Sequence, residues 1–165
     1  MGTASLSKRT IQKIIAVANA AEQDTESKIE FSVSYALLRS AEKLKSAGRV
    51  ISKERLKFLG PEYGQKIKAI QDEMNNAAAR LEDKKDADKI AVINNEANKK
   101  AQALDVEFKP QIEALNEYFD TVDEVEIYQC KIKSLEALND VPNYIRPALV
   151  HLVIVEDSGE EKTDL

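Results

Sequence analysis

The chain has 165 residues, of which 43% are apolar and 32% are charged, and its formal net charge is −5. This length is usual for one domain, and the composition is that of a folded chain and not of a disordered one. Cys130 is the only cysteine, which excludes a disulfide within the chain and favours a reducing cytosol. No apolar stretch approaches the length of a membrane helix. We therefore expect a cytoplasmic protein without a membrane anchor.

The charge is distributed unevenly along the chain. Residues 1–60 contain eleven Lys or Arg and six Asp or Glu, whereas the remainder contains thirteen and twenty-three. A basic segment of this kind can pair with acidic helices, remain solvated or bind an anionic partner. Because nucleic-acid-binding domains are usually basic overall, the acidic total argues against nucleic acid as the partner.

The first half of the chain predicts two helices. Ser5 or Ser7 can cap a helix over residues 8–21, in which apolar side chains recur at helical spacing. Residues 29–33 alternate between apolar and polar and are compatible with a short strand or an extended lead-in. A long second helix follows, which the Gly60-Pro61 pair ends.

The next two helical stretches predict an antiparallel hairpin over about residues 65–119. The first follows Gly64, and the charged residues 82–89 connect it to the second. From Ile90 onward, apolar side chains recur in steps of three, four and four, an eleven-residue period. This period predicts a nearly straight helix of about 45 Å, so the hairpin should protrude. Pro110 lies within the stripe without changing its phase, which favours a kink over a break.

A small β element is predicted after the hairpin. Residues 122–132 are rich in β-branched side chains and indicate a strand, with Val125 and Ile127 on one face. A lone strand leaves its backbone groups unsatisfied and needs a partner. The candidates are residues 29–33, residues 150–155 and a second copy of the protein.

The C-terminal segment carries mixed signals. Pro147 favours a short helix up to Leu152, although the β-branched residues around it favour a strand. The acidic residues 156–165 are expected to be disordered. The predicted fold class is therefore mainly α, with a long antiparallel helical hairpin or bundle and a small β element at about 122–132. One helical domain is expected over residues 1–155.

The sequence offers little catalytic chemistry. With one histidine and one cysteine, a nucleophilic pair would require His151 to meet Cys130, and a metal site with several His or Cys ligands is excluded. No phosphate-binding glycine loop or nucleophile elbow occurs. The acidic residues Glu113, Glu117 and Asp120 have no second carboxylate group at a fixed distance, so solvent exposure explains them better than cation binding. We expect a protein that is not an enzyme and that uses no metal or cofactor.

One basic helix face stands out as a candidate ligand site. It consists of Arg39, Lys45, Arg49, Lys53 and Lys57. Four of these residues recur in steps of four, which places them along one side of a continuous helix. Such a face can bind the phosphates of an anionic nucleotide. Ordinary solvation, with pairing to Glu42 and Glu54, is the simpler interpretation.

Four segments follow one another in a recognisable order. They are SYALLRSAEKL (34–44), IEALNEYF (112–119), VDEVEIYQCKIKSLEAL (122–138) and YIRPALVHLVI (144–154). In this order they resemble small proteins of unknown function that tailed phages of Gram-positive bacteria encode. The resemblance leaves out residues 65–109 and the first helix. It implies a phage accessory protein in the host cytosol, which binds host machinery or sequesters a defence signal.

We therefore expect a non-enzymatic protein that binds a host or phage protein and forms homo-oligomers. An overlong amphipathic helix and an unpaired strand both need partners, so self-association is predicted in these two elements. The predicted interface residues are Ile93, Leu104, Phe108, Val125 and Ile127. The alternative is a small-ligand binder that sequesters an anionic nucleotide or cyclic-nucleotide defence signal through the basic face.

Overall fold

The protein is mainly α in the computed structural model, which describes residues 1–82 and 85–155. This confirms the predicted fold class. The helices are α1 (Lys8–Gln23), α2 (Phe31–Ala79), α3 (Ala87–Glu107), α4 (Lys109–Asp120) and α5 (Arg146–Leu152), and a 3-10 helix spans Leu135–Leu138. The strands are β1 (Gly2–Ser7), β2 (Val122–Ile127), β3 (Cys130–Ile132) and β4 (Val153–Val155). The tail predicted to be disordered, residues 156–165, lies outside the described residues, as do residues 83–84 of the charged connection.

The chain divides into two compact units. The first contains Met1–Ile51 together with Phe119–Leu165, and the second contains Ser52–Tyr118. The first unit holds α1, the beginning of α2, α5 and all four strands. The second unit holds the hairpin. Its predicted protrusion and the single domain over residues 1–155 stay predictions.

The predicted strand over 122–132 is two strands with different partners. β2 pairs antiparallel with β1, and Gly2 lies opposite Ile127. β3 pairs parallel with β4, which confirms one of the candidate partners, residues 150–155. Of the two alternatives for residues 29–33, the strand is wrong, because α2 begins at Phe31 and residues 29–30 form the segment that leads into it. The pairing of β1 was not predicted, since its sequence GTASLS buries only Leu6 and gives a weak strand signal.

The first helix forms where its cap and its apolar spacing predict it. The Ser7 hydroxyl accepts a hydrogen bond from the Thr10 amide at 3.1 Å, which satisfies one free donor of the first turn. Ile11 and Ile14 are fully buried, so one face of α1 enters the core of the first unit. On α2, a Cβ atom at Gly48 would lie 2.5 Å from Ile15 Cδ1. Glycine therefore allows α1 and α2 to approach closely.

Among the residues of the first unit whose burial is described, Ser40 is the one buried polar side chain. Its hydroxyl accepts a hydrogen bond from the Tyr128 amide at 2.8 Å and donates one to the Tyr128 carbonyl at 3.0 Å. Tyr128 lies between β2 and β3, where neither sheet ladder continues. A helix side chain thus takes the place of a strand partner for both backbone groups.

Two helix interruptions shape the second unit. Gly60 has φ 75° and ψ 165°, a left-handed conformation that glycine adopts most easily, and Pro61 restarts the helix. This confirms that Gly60-Pro61 ends the long helix. Between α3 and α4, Phe108 has φ −100° and ψ 20°. Because only one residue is non-helical and Leu115 remains buried beyond it, the predicted kink is confirmed and the apolar register is kept.

The hairpin itself is antiparallel. Lys66 pairs with Glu107, and further along Lys100 pairs with Glu73. The Tyr63 and Phe108 rings meet edge to face at 5.3 Å between their centroids. The helix interruptions at Gly60 and at Phe108 are thus close to each other in this unit.

Candidate interaction surface

Two of the five predicted ligand residues, Arg39 and Lys45, line the same groove of about 240 Å³ between α1 and α2. The groove also contains the carboxylates of Glu22 and Glu42. The Arg39 guanidinium already donates to Glu42 at 2.8 Å. Because the groove contains two acidic and two basic side chains, it carries no excess positive charge that would bind an anion.

The other three predicted ligand residues are exposed side chains of α2. Arg49 belongs to the first unit, whereas Lys53 and Lys57 belong to the second. Lys57 forms an ion pair with Glu54 three residues before it, as the simpler interpretation of the basic face expects.

The predicted interface residues pack wholly or partly within their own units. Leu104, Phe108 and Ile127 are buried, and Ile93 and Val125 are half-buried. Ile93 lines the narrow seam of the hairpin together with Ile70 and Met74. Their burial within the chain explains their apolar character without a second copy. An interface role for them stays a prediction.

An exposed cluster of aromatic side chains is the feature of the first unit that sequence reasoning missed. We name it the aromatic surface, and it consists of Phe31, Tyr35, Arg39 and Tyr128. Phe31 is 80% exposed and Tyr35 is 45% exposed. Large apolar side chains that remain in water at adjacent positions are typical of binding surfaces.

The members of the aromatic surface are in ring contact with one another. The Phe31 and Tyr35 ring centroids lie 5.9 Å apart, and the Tyr35 and Tyr128 rings meet edge to face at 6.1 Å. The Arg39 guanidinium carbon lies 5.6 Å from the Tyr35 ring centroid. Ring contacts and a cation–π contact of this kind favour this arrangement of the side chains in the absence of a partner.

Two features of the fold position this surface. Phe31, Tyr35 and Arg39 are spaced by four residues on α2, so they share one helix face. That face lies about 120° to 200° around the helix from Leu37, on the side opposite the buried stripe. Tyr128 joins them because Ser40 holds its backbone. The spacing of aromatic residues away from the apolar stripe was therefore a readable signal, whereas the addition of Tyr128 was not.

Arg39 carries the charge of the aromatic surface. Its hydrogen bond to Glu42 and its contact with Tyr35 raise the pKa of Arg39 above its usual value. The hydrogen bond between Arg39 and Glu42 in turn lowers the pKa of Glu42. Both groups are therefore ionised at neutral pH, and Arg39 retains donors that Glu42 does not use.

The segment that leads into α2 is held by Asp24. This carboxylate accepts hydrogen bonds from the Glu26 and Ser27 amides and, at 2.8 Å, from the Tyr144 hydroxyl. Hydrogen bonds from the side chain and then the amide of Ser27, followed by the bond from Tyr144, lower the pKa of Asp24 from 3.8 to about 2. The bond to Tyr144 connects the end of α1 to the residues before α5.

We predict that Tyr144→Phe raises the pKa of Asp24 while leaving it below 3.8, since the Ser27 bonds remain. Because the folded pKa is depressed, the contribution of Asp24 to stability is present above pH 3.8 and is lost as pH falls toward 2. Carboxyl-detected NMR titration measures the pKa directly. Tyr63→Phe, which removes a hydrogen bond to Asp105 in the second unit, is the matched control. An unchanged pKa of Asp24 in Tyr144→Phe would contradict this account.

Cys130 and His151, the two side chains considered for nucleophilic chemistry, are buried or half-buried. Cys130 is buried, which raises the pKa of its thiol and disfavours the reactive thiolate. His151 is half-buried on α5, and its carbonyl accepts a hydrogen bond from Gln129. Within residues 1–82 and 85–155, no three His, Cys, Asp or Glu side chains gather as metal ligands. Over the same residues, no helix combines the length and apolar content that crossing a membrane requires.

The four segments that carry the phage resemblance are placed in order along the structure. The first lies on α2, the second on α4, the third covers β2 and β3, and the fourth covers α5. The resemblance itself stays a prediction. No protein-family model, curated protein or solved structure matches the chain.

Proposed function

We propose that this is a non-enzymatic interaction protein that binds another protein through the aromatic surface. The observation that carries the proposal is the exposure of Phe31 and Tyr35 beside the stacked Arg39 guanidinium. Aromatic residues and arginine are enriched at protein interfaces, and tyrosine and arginine are prominent among the residues that dominate binding energy. Because the rings are already ordered by one another, less conformational entropy is lost when a partner binds.

The chemistry of the surface describes the partner. Phe31 projects from the first turn of α2 with most of its ring in water, so it fits an apolar pocket. Arg39 donates to Glu42 and also contacts Tyr35, and the guanidinium donors that these two contacts leave suit a carboxylate on the partner. The partner is therefore a protein with an apolar pocket bordered by an acidic side chain.

Origin in a phage and self-association are further parts of the proposal. Exposed apolar side chains on α3, Val92 and Val106, support a contact between hairpins of two copies. Size-exclusion chromatography with light scattering tests this part. A monomer at micromolar concentration would contradict the homo-oligomer but not the binding of a different protein.

The alternative is the capture of an anionic nucleotide by the basic face. Its support is the groove that Arg39 and Lys45 share. Glu22 and Glu42 in the same groove weaken it, because they repel phosphates. We therefore rank it below protein binding.

The decisive experiment identifies the partner and then measures its affinity. A photo-crosslinking amino acid at Phe31 captures the partner in an extract of the host, and the purified partner is titrated by calorimetry. We expect Phe31→Ser to weaken binding about thirtyfold or more, because an anchoring ring is lost. Leu56→Ser is the matched control, since Leu56 is 68% exposed in the second unit. It should change the affinity by less than about twofold.

Two outcomes would contradict the proposal. One is a purified partner that binds Phe31→Ser as tightly as the original protein. The other is a nucleotide that raises the melting temperature of the original protein but not of Lys45→Glu, which would favour the alternative.

A further inference from the structure

A second concave site lies at the C-terminal end of the first unit and shares no residue with the aromatic surface. It is a cleft of about 430 Å³, a volume within the range of small-molecule sites. Five aliphatic side chains line it, namely Leu138, Leu149, Val150, Val153 and Val155. Asn139 and Arg146 complete the lining, so none of the residues that line the cleft within the described ranges 1–82 and 85–155 is acidic.

The aliphatic lining is unusually open to water. Val150 on α5 is 78% exposed, and Val155 on β4 is 43% exposed. Leu149, by contrast, is buried beneath them and forms part of the core. A ligand with an alkyl chain would remove the exposed valine surface from water, which is favourable in proportion to the apolar area buried.

Arg146 supplies a fixed positive charge at this cleft. Its Nε donates to the Val141 carbonyl at 3.3 Å, and its Nη2 donates to the Asn139 carbonyl at 3.1 Å. Two backbone acceptors thus hold the plane of the guanidinium. Over the described part of the chain, Arg146 has no acidic partner, and its Nη1 has no hydrogen-bond acceptor. A guanidinium held in this way is preorganised for a carboxylate.

We propose that this cleft binds an aliphatic carboxylate. The alkyl chain lies against the valine and leucine side chains, and the carboxylate pairs with Arg146. The positive charge of Arg146, with no acid among the described lining residues, favours an anionic head group over a cationic one. This site is independent of the proposed binding of a protein by the aromatic surface.

The test uses sodium decanoate, with decylammonium as a ligand of equal chain length and opposite charge. Methyl-detected NMR follows Val150, Val153 and Leu149 during each titration. We expect saturable shifts with decanoate below about 1 mM and binding of decylammonium at least about tenfold weaker. Val150→Glu places a carboxylate at the cleft and should weaken decanoate binding by about tenfold or more. Val50→Glu makes the same change at an exposed valine of α2 in the same unit and should leave decanoate binding unchanged.

The outcomes distinguish specific binding of decanoate in the cleft from its non-specific adsorption to apolar surface. Equal affinity for decanoate and decylammonium would overturn the proposal, as would an undiminished affinity in Val150→Glu. Absence of saturable shifts in the original protein would also overturn it. Arg146→Lys keeps the charge and loses the planar fork, so a weaker decanoate affinity in a folded Arg146→Lys supports the role of the guanidinium. If Arg146→Lys does not fold, the relative affinities of the original protein for decanoate and decylammonium test the proposal.

Discussion

Replacing Ile127 with alanine is expected to lower the free energy of unfolding by about 3 kcal/mol, because the side chain is fully buried and its removal leaves a cavity. Ile127 ends β2 and lies opposite Gly2 of β1. Urea unfolding, followed by circular dichroism, measures the change. The loss should be the same at low and high protein concentration, since the cavity forms within one chain.

The dependence of this stability loss on protein concentration distinguishes a core residue from an interface residue at position 127. If the residue stabilised an interface between copies, the loss would depend on protein concentration, and light scattering would show a change in mass. Val122→Ala is the control, because Val122 lies on the same strand and is 58% exposed. It should cost about 0.5 kcal/mol. A concentration-dependent loss in Ile127→Ala would contradict the intramolecular account and favour self-association at this strand.

Ser40→Ala is expected to lower the free energy of unfolding by about 1 to 3 kcal/mol. The substitution leaves the partly buried amide and carbonyl of Tyr128 without their shared partner, and an unsatisfied buried polar group costs roughly 1–3 kcal/mol. Amide hydrogen exchange gives a local readout. The Tyr128 amide should exchange faster in the variant even where the protein remains folded.

Ser46→Ala is the matched control for this prediction, because Ser46 is an exposed residue of the same helix. Alanine is the better helix former, so the control should be neutral or slightly more stable. Equal stability of Ser40→Ala and Ser46→Ala would contradict the role given to Ser40. Since Ser40 also places Tyr128 beside Tyr35, Ser40→Ala should weaken partner binding as well.

Local signals in the sequence predicted the helical elements. The cap at Ser7, the apolar spacing of α1 and the break at Gly60-Pro61 are all found in the structure. The kink before Pro110 is found at Phe108. Each of these features depends on residues within one or two helical turns, so a linear pattern contains the information that decides it.

Long-range contacts limited what could be predicted about the sheets and the candidate site. β1 pairs with β2 across more than a hundred residues, and its own sequence is too weakly patterned to show a strand. The basic face was predicted from spacing alone. Spacing could not show that Arg39 pairs with Glu42 and stacks on Tyr35.

The sequence by itself thus determined that the protein is mainly α, where its helices break, and that its single histidine and cysteine leave few catalytic options. Only the tertiary structure decided which side chains form a surface. Ser40 and Tyr128 are 88 positions apart, and their contact brings Tyr128 to Tyr35. Helix formation is governed by neighbours along the chain, whereas the aromatic surface depends on hydrogen bonds and packing between distant segments, which no local pattern records.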